Sequence, residues 1–280
     1  MKLLLRHYLL AVVCLLFFSS EAASEGSAPT FPRHTIEVGV GVTSLDYEEK
    51  IEDVDVDIDG LMYGIVGSYT YHNNIMLNAS VEYQVGDLDY EGMLQTLVID
   101  PSGTEIIDSP SESETEDLKV ECRGLIGYDY VLGGSHVVTP FLGLGYRYLS
   151  DDIKGFGGYE RRITYWYSPV GLKTCSPLSK DWTWGIGLEY DIFWDGEAGS
   201  DSDLLSDLDQ DSGYGVKFSV RFNRHFKNDY SLFIEPHMAY WDIDESEAGS
   251  FGGQGGTQGI RIREPDNTTT SYGLRIGLAF

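Results

Sequence analysis

Hydrophobic and polar residues alternate along many stretches of this chain, and turn-forming or acidic segments separate the stretches. Residues 34–47, HTIEVGVGVTSLDY, place four aliphatic side chains on one parity: Ile36, Val38, Val40 and Val42. Because successive side chains of a β-strand point to opposite faces, this pattern predicts a strand with one apolar and one polar face. Ten such strands can be counted between residues 34 and 280, and no long segment has the period of a helix.

The connections between these predicted strands alternate in length. A short turn at residues 72–74 is followed by a long polar segment at about residues 91–116, and the alternation continues along the chain. Barrels of the outer-membrane type have short turns at one end and long loops at the other. The sequence therefore predicts an all-β fold, a ten-stranded antiparallel transmembrane β-barrel with long extracellular loops and short periplasmic turns.

The first residues have the pattern of a secretory signal peptide. Lys2 and Arg6 precede ten apolar residues, Leu9 to Phe18, and small residues follow at Ala22 and Ala23. The apolar run is too short for a membrane-spanning helix, which needs about 20 residues. The predicted organisation is a signal peptide (1–23), a periplasmic N-terminal tail (24–33) and an outer-membrane barrel (34–280), which locates the protein in the bacterial outer membrane.

The net charge of −26 excludes some classes of partner. A chain this acidic repels nucleic acid, so no nucleic-acid partner is expected. The acidic residues concentrate in the predicted outward loops at about residues 48–59, 109–117 and 195–211. We expect these loops to form an acidic outer surface, and the sequence does not identify the ligand of that surface.

Charged residues also occupy the polar parity of the predicted strands. In a membrane barrel the apolar parity faces lipid, so the other parity faces the lumen. Because unpaired buried charges are costly and narrow barrels are filled by side chains, we expect a lumenal network of ion pairs. A narrow water-filled pore is the alternative. The predicted network consists of Glu82, Glu121, Arg123, Arg147, Arg162, Glu189, Lys217, Arg221, Glu235 and Arg275.

One acidic loop contains the spacing D-x-D-x-D-G, formed by Asp55, Asp57, Asp59 and Gly60. This is the beginning of an EF-hand calcium loop, but Val66 stands where the bidentate Glu is required and no helices flank the segment. An EF-hand is therefore rejected. A looser surface calcium site formed by the three aspartates and a plain extended strand are the two remaining interpretations, and no other cofactor is predicted.

Aromatic residues suggest where the membrane borders lie. Five of them are predicted to anchor the outer border: Tyr47, Tyr90, Tyr148, Trp194 and Trp241. In the stretch YERRITYWYSPVGL, adjacent aromatics must point to opposite faces. The sequence predicts that Trp166 enters the lumen beside Arg162, while Tyr165 and Tyr167 face lipid.

The last predicted strand carries a family resemblance. Its apolar parity consists of Tyr272, Leu274, Ile276, Leu278 and Phe280. This pattern resembles the closing strand of bacterial outer-membrane β-barrel proteins, whose barrel-assembly machinery reads the strand as an insertion signal. The resemblance implies that the partners are this machinery, outer-membrane lipids and lipopolysaccharide. It does not identify a subfamily.

A ten-stranded barrel is also similar to the omptin surface proteases, which use paired aspartates and an Asp-His couple at the outer rim. Asp87, Asp89, Asp242 and Asp244 are the rim candidates, but no histidine has the required spacing and His237 lies deeper on its strand. We therefore expect no enzyme but a surface barrel with a structural or adhesive role. A small-solute channel and an omptin-like protease are the alternatives.

Overall fold

The structure is a computed structural model. It describes residues 31–51, 54–100, 103–133, 135–154, 159–200, 207–227, 230–251 and 260–280. The predicted signal peptide, residues 1–23, lies outside these residues. Within the described part of the chain, no helix is long and apolar enough to cross a membrane.

The described residues form fourteen strands. They are β1 (His34–Ile51), β2 (Val54–Asn73), β3 (Ile75–Asp100), β4 (Gly103–Tyr128), β5 (Tyr130–Leu132), β6 (His136–Ile153), β7 (Glu160–Ser179), β8 (Trp182–Ser200), β9 (Leu208–Gln210), β10 (Gly213–His225), β11 (Ser231–Ile243), β12 (Gly249–Phe251), β13 (Ile260–Ile262) and β14 (Asn267–Ala279). Ten of these strands make a closed wall in the order β10-β11-β14-β1-β2-β3-β4-β6-β7-β8, which ends where β8 pairs with β10. Every pair in the wall is antiparallel, so the predicted ten-stranded barrel is confirmed.

The first and last wall strands show how the alternating pattern sets the faces. β1 pairs with β14 so that Val38 lies opposite Leu278 and Val40 opposite Ile276. These side chains point outward, and Val40 is 63% exposed. In the membrane this outer face contacts lipid. The closing strand thus joins the first strand as expected, and all five residues of its predicted insertion signal lie on the outward face.

The outward apolar band ends at about Leu61 on β2, Val85 on β3, Tyr148 on β6 and Trp194 on β8. We call the part at the level of this band the membrane-level barrel, and the part beyond it the outer barrel. The strands do not stop at this border. They continue outward as paired hairpins and build the outer barrel.

The predicted long loop at residues 91–116 is strand instead. β3 and β4 are each 26 residues long and stay paired from Ile75 and Tyr128 to the tip at Asp100 and Gly103. The polar composition of this segment suggested a loop. Beyond the bilayer, however, a strand needs no apolar outer face, so polar residues are compatible with a continued ladder.

Candidate functional site

The membrane-level lumen contains two groups of ion pairs. In the first group, Arg221 donates hydrogen bonds to Glu37 at 2.5 Å and to Glu235 at 3.3 Å. Arg275 donates to Glu235 at 3.0 Å and to Glu82 at 2.6 Å. Three carboxylates and two guanidinium groups therefore form a continuous chain that links strands β10, β1, β11, β14 and β3 across the lumen.

The second group centres on one lysine. The Nζ atom of Lys217 contacts Glu121 and lies 3.4 Å from Glu189 Oε1 and 3.3 Å from Asp191 Oδ2. Arg123 contacts Glu189 from the other side. Lys217 on β10 and Glu121 on β4 are four strands apart in the wall, so their contact crosses the lumen.

Most of the predicted lumenal network is therefore brought together. Eight of its ten members lie in the two groups: Glu82, Glu121, Arg123, Glu189, Lys217, Arg221, Glu235 and Arg275. Arg147 faces the lumen above them and is 2% exposed. Arg162 does not belong to the network.

A cavity of about 170 Å³ lies among these groups. Glu189 lines it, and Glu189 Oε1 and both carboxylate oxygens of Asp191 are buried without a hydrogen bond, although Lys217 forms ion pairs with Glu189 Oε1 and Asp191 Oδ2. The cavity has room for several water molecules, which such atoms require. Lys119 and Lys173 also line it. Both were missed, although Lys119 shares its parity with Glu121 and Arg123.

An aromatic layer closes the top of the charged lumen. The ring of Trp241 lies 5.4 Å from the guanidinium of Arg147 and 5.6 Å from the ammonium of Lys217. Tyr167 packs edge-on against Trp241, with ring centroids 5.0 Å apart, and Tyr165 stacks on it at 5.9 Å. Cations are attracted to aromatic faces, so this layer accommodates the last charges of the lumen beneath an apolar region.

Above this layer the outer barrel is filled by an apolar core. One cluster consists of Leu149, Ile163, Tyr165, Tyr167, Phe193, Ala198, Leu208, Trp241 and Ile243. A second consists of Leu45, Tyr47, Val56, Ile58, Met62, Leu88, Tyr90 and Ile153. Beyond the bilayer the outer face meets water, so the apolar side chains turn inward.

This reversal corrects the predicted membrane border. Tyr47, Tyr90 and Trp241 are buried inside the outer barrel and do not anchor the protein in the interface. Trp194 is 50% exposed on the outer face, and Tyr148 is half-buried there. The assignment failed because it used the residue type without the parity of each position.

The same reversal makes the prediction for Arg162 and its neighbours wrong. Arg162 is exposed and pairs with Glu160 on the outer surface, where its Nη2 lies 2.9 Å from Glu160 Oε2. Trp166 is 48% exposed, whereas Tyr165 and Tyr167 are buried in the lumen. The rule that apolar side chains face lipid holds only at the membrane level, and this segment extends beyond it.

Arg161, not Arg162, faces inward. Its Nε and Nη2 atoms donate to Asp151 Oδ2 at 2.9 and 2.8 Å, and Nη1 donates to Glu49 at 2.6 Å. Nη1 also lies 3.0 Å from the Tyr47 hydroxyl and 3.4 Å from Glu264 Oε1. β7 and β1 are five strands apart in a wall of ten, so Arg161 crosses the full width of the barrel.

More carboxylates surround Arg161 than it can neutralise. Asp117 lies opposite Asp151 in the β4–β6 register and shares a side-chain hydrogen bond with it. Burial, reinforced by the Asp151 charge, raises the pKa of Asp117 to about 8. Burial also raises the pKa of Glu264 to about 7, although Arg161 opposes the shift. We call Glu49, Asp117, Asp151, Arg161 and Glu264 the outer carboxylate cluster.

The predicted calcium residues lie on β2 in the outer barrel. The side chain of Asp55 lies outside the described residues, and Asp57 and Asp59 point outward. Oxygen atoms of Asp57, Asp46 and Glu48 approach within 4.8 Å of one another, close enough to hold a metal ion together. Burial raises the pKa of Asp57 to about 6, and Asp46 and Asp59 add to the shift.

The partners of Asp57 come from the neighbouring strand because cross-strand side chains are closer than i, i+2 neighbours along one strand. Glu48 lies directly opposite Asp57, and Asp46 lies opposite Asp59. The spacing D-x-D-x-D therefore does not by itself form the group. Calcium binding on this surface stays a prediction.

The rim aspartates do not converge. Asp87 and Asp89 are exposed on the outward face of β3, and Asp242 accepts a hydrogen bond from Lys50 at 2.9 Å on the outside of the barrel. Asp244 contacts Ser212. β3 and β11 are separated by three wall strands, and His237 lines the membrane-level lumen. Within the described residues, no Asp-His couple faces the outer mouth.

The closed wall and its outward apolar band agree with the comparisons with known proteins. A family model described as outer membrane protein beta-barrel domain matches residues 10–196. The chain belongs to this family. It is a bacterial outer-membrane barrel. A comparison with curated protein sequences finds no match.

Several solved structures have a similar fold. The outer membrane protease OmpT from Escherichia coli aligns with a TM-score of 0.59 and 11% identity, over 92% of this chain and 99% of that chain. The outer membrane protein OprG from Pseudomonas aeruginosa aligns with a TM-score of 0.38 and 10% identity, over 88% and 93%. The Pseudomonas putida toluene transporter TodX aligns with a TM-score of 0.32 and 9% identity, over 89% of this chain and 90% of that chain. At these identities the likeness to OmpT shows the fold alone, and the two lower scores bear on neither fold nor function.

Proposed function

We propose that this protein is a non-conducting surface barrel with a structural or adhesive role, and that its acidic outer face is the binding surface. The observation that carries the proposal is the apolar core of the outer barrel. A solute entering from outside meets this core before it reaches the charged lumen. The filled lumen leaves the outer surface as the part of the molecule available to a partner.

The core is too extensive for a small fluctuation to open it. Ile58 and Ile163 are each 1% exposed, and Ile243 is fully buried. Burying one large aliphatic side chain stabilises a protein by about 1.5–3 kcal/mol. Opening a path would expose several such side chains at once, so we expect the closed form to dominate.

The outer face has a charge arrangement that suits a cationic partner. One row across four strands consists of Glu48, Asp57, Glu91 and Glu112, and the next consists of Asp46, Asp59, Asp89 and Glu114. Like charges directly opposite each other destabilise a sheet. A cationic partner would relieve this repulsion, and salt would weaken its binding.

Adhesion can be measured with particles coated with a cationic peptide. Cells displaying the protein should bind the particles at low salt, and the double variant Asp59→Asn, Asp89→Asn should bind less. Arg162→Gln makes the outer surface more negative and should not reduce binding. Equal binding by the double variant and the unmodified protein would argue against the acidic face as the binding surface.

A small-solute channel is the second candidate, favoured by the cavity at the membrane level. Recording of the refolded protein in planar bilayers separates the two functions. We expect no stable open-pore current from the unmodified protein. Trp241→Ala removes the ring between Arg147 and Lys217 and should produce intermittent current. A large steady conductance in the unmodified protein would make the channel the better proposal.

We propose further that the barrel is not an enzyme. The separation of the rim aspartates on β3 and β11 supports this, because acid-base hydrolysis needs its carboxylates and a basic partner close together. Incubation of the refolded protein with a peptide library should leave the peptides intact. Cleavage that is lost in Asp87→Asn would contradict this part of the proposal.

A further inference from the structure

The outer carboxylate cluster is completed by a short segment that continues the line of β14 outward, between β1 and the residues that follow β11. Residues 263–266, which we call the strap, precede β14 and carry Glu264 to Arg161. The Glu264 backbone N donates to Ser246 Oγ at 2.8 Å, and the Ser246 backbone N donates to Glu264 O at 2.9 Å. The Lys50 backbone N donates to Asp266 O at 2.7 Å. These few bonds hold the strap beside β1.

The Glu264 side chain reaches inward from the strap. Only 12% of it is exposed, and its Oε1 lies 3.4 Å from both Arg161 Nη1 and the Tyr47 hydroxyl. Because Arg161 comes from β7 and Tyr47 from β1, Glu264 contacts both sides of the barrel. The Glu264 side chain therefore attaches the strap to Arg161 and Tyr47, the two residues whose contact spans the outer barrel.

The charges at this point do not balance. The titratable and charged groups that surround Glu264 and its partner Arg161 are Tyr47 and Glu49 from β1, Tyr90 from β3, Asp117 from β4, Asp151 from β6, Tyr159 beside β7, and Arg161 and Tyr165 from β7. Arg161 is the one cation in this set, against four carboxylates. Full ionisation would leave about three uncompensated negative charges in a largely buried region, which is strongly unfavourable.

We propose that Glu264 is a proton-operated latch, which fastens the strap across Arg161 when its carboxyl group is protonated and releases the strap when that group ionises. Release would detach the outer end of β14 from Arg161 and Tyr47. The inference rests on the closed outer barrel of the proposed function, and it adds a condition under which that closure loosens.

The direction of the pH dependence follows from the shift of the Glu264 pKa. Burial raises this pKa from 4.5 to about 7, so the fastened strap holds a proton that the released strap loses. The fastened form is then fully favoured below about pH 4.5, and its advantage is lost as pH rises towards 7. One proton released on opening changes the equilibrium tenfold per pH unit.

Hydrogen exchange of the full refolded chain, followed by mass spectrometry, tests this latch. Peptides that contain residues 245–247 and 264–266 report the bonds between Ser246 and the strap. After correction for the intrinsic pH dependence of exchange, the open fraction of the unmodified protein should rise about 40-fold between pH 5 and pH 7, because the slope flattens near each of the two pKa values. In E264Q the side chain cannot ionise, so the open fraction should stay constant over this range.

Two variants sharpen the test. E245Q removes an exposed carboxylate that pairs with Arg263 of the strap, and it should keep the slope of the unmodified protein because Glu264 is unchanged. D117N removes another proton-binding carboxyl of the cluster. A slope that survives in E264Q but disappears in D117N would overturn the assignment to Glu264.

A flat profile in the unmodified protein would overturn the latch even if E264Q failed to fold. Such a profile would leave the proposed function intact, because a barrel that stays closed at every pH is still non-conducting. Steady conductance at pH 5 would have the opposite meaning. It would overturn the proposed function, while the exchange slope would still decide the latch.

Discussion

The same ten strands enclose two unlike interiors. At the membrane level the lumen holds Lys217, Arg221 and Arg275 with their carboxylates, whereas in the outer barrel aliphatic and aromatic side chains surround a single charged group, the outer carboxylate cluster. The difference arises outside the wall. At the membrane level, lipid favours apolar side chains on the outer face, so the polar side chains of each strand point into the lumen. In the outer barrel, water favours polar side chains on the outer face, so the apolar side chains point inward.

The two interiors should respond differently to loss of one side chain, and the largest effect is expected in the charged one. Glu189→Ala leaves Arg123 and Lys217 with one carboxylate fewer in a region of low dielectric constant. Breaking a buried pair on one side costs about 3–5 kcal/mol. The urea midpoint for loss of the heat-modifiable band on gels should fall accordingly. Asp89→Ala on the exposed face is the control, and equal midpoints would contradict a buried network.

In the apolar interior, Ile163→Ala should also destabilise the protein. Ile163 is 1% exposed, and removal of such a side chain leaves a cavity that costs about 2–5 kcal/mol. Leu142→Ala on the lipid-facing surface removes as many side-chain atoms at a position that is 60% exposed. Urea unfolding should separate the two variants clearly. A larger loss in Leu142→Ala would show that the outer core is not packed as described.

The outer carboxylate cluster, which lies inside the outer barrel, should give the free energy of unfolding a pH dependence of its own. Burial raises the pKa of Asp117 from 3.8 to about 8, so the folded state retains a proton that the unfolded state loses. This contribution is complete below about pH 3.8 and is lost as pH rises to 8, at about 1.4 kcal/mol per pH unit.

Asp117→Asn should remove this part of the pH dependence. Denaturant unfolding at several pH values would show a flatter curve for the variant than for the unmodified protein. Asp59→Asn on the exposed face provides the comparison and should follow the unmodified protein. Parallel curves for Asp117→Asn and the unmodified protein would mean that Asp117 is accessible to water.

The smallest effect is expected at Arg162, the neighbour of the bridging Arg161. Arg162→Gln loses a partly exposed pair with Glu160, and pairs of this kind contribute about 0–1 kcal/mol. Arg161→Gln leaves Asp151 and Glu49 without their cation and should destabilise the protein far more. If urea midpoints ranked the two variants the other way round, the inward and outward faces of β7 would have to be exchanged.

How much could be predicted from the sequence depended on the level of the barrel. At the membrane level the alternating pattern was sufficient, as β14 shows, because lipid requires apolar side chains on one known face. Beyond the border the same pattern appears with the faces exchanged, so Trp241 and Tyr165 were assigned to the wrong surroundings. A short alternating stretch of sequence does not by itself show whether lipid or water surrounds the outer face of that strand.

Two further features depended on cross-strand register, which one strand does not contain. The carboxylates nearest Asp57 come from β1, and the partners of Arg161 come from β1, β6 and the strap. The hairpin of β3 and β4 was missed for a related reason. Its polar residues resemble a loop until their pairing partners are known.

The length of this hairpin has a mechanical consequence. β3 leaves the membrane level near Val85 and continues through 15 more residues to Asp100. At about 3.3 Å per residue and a tilt of about 45°, that length rises roughly 35 Å above the bilayer, comparable with the hydrocarbon thickness of about 30 Å. β3 pairs with β2 as far as Glu91, so the outer barrel supports the first part of this rise and the last nine residues, 92–100, act as a free lever. A sideways pull at its tip would be transmitted almost undiminished to the wall of the barrel.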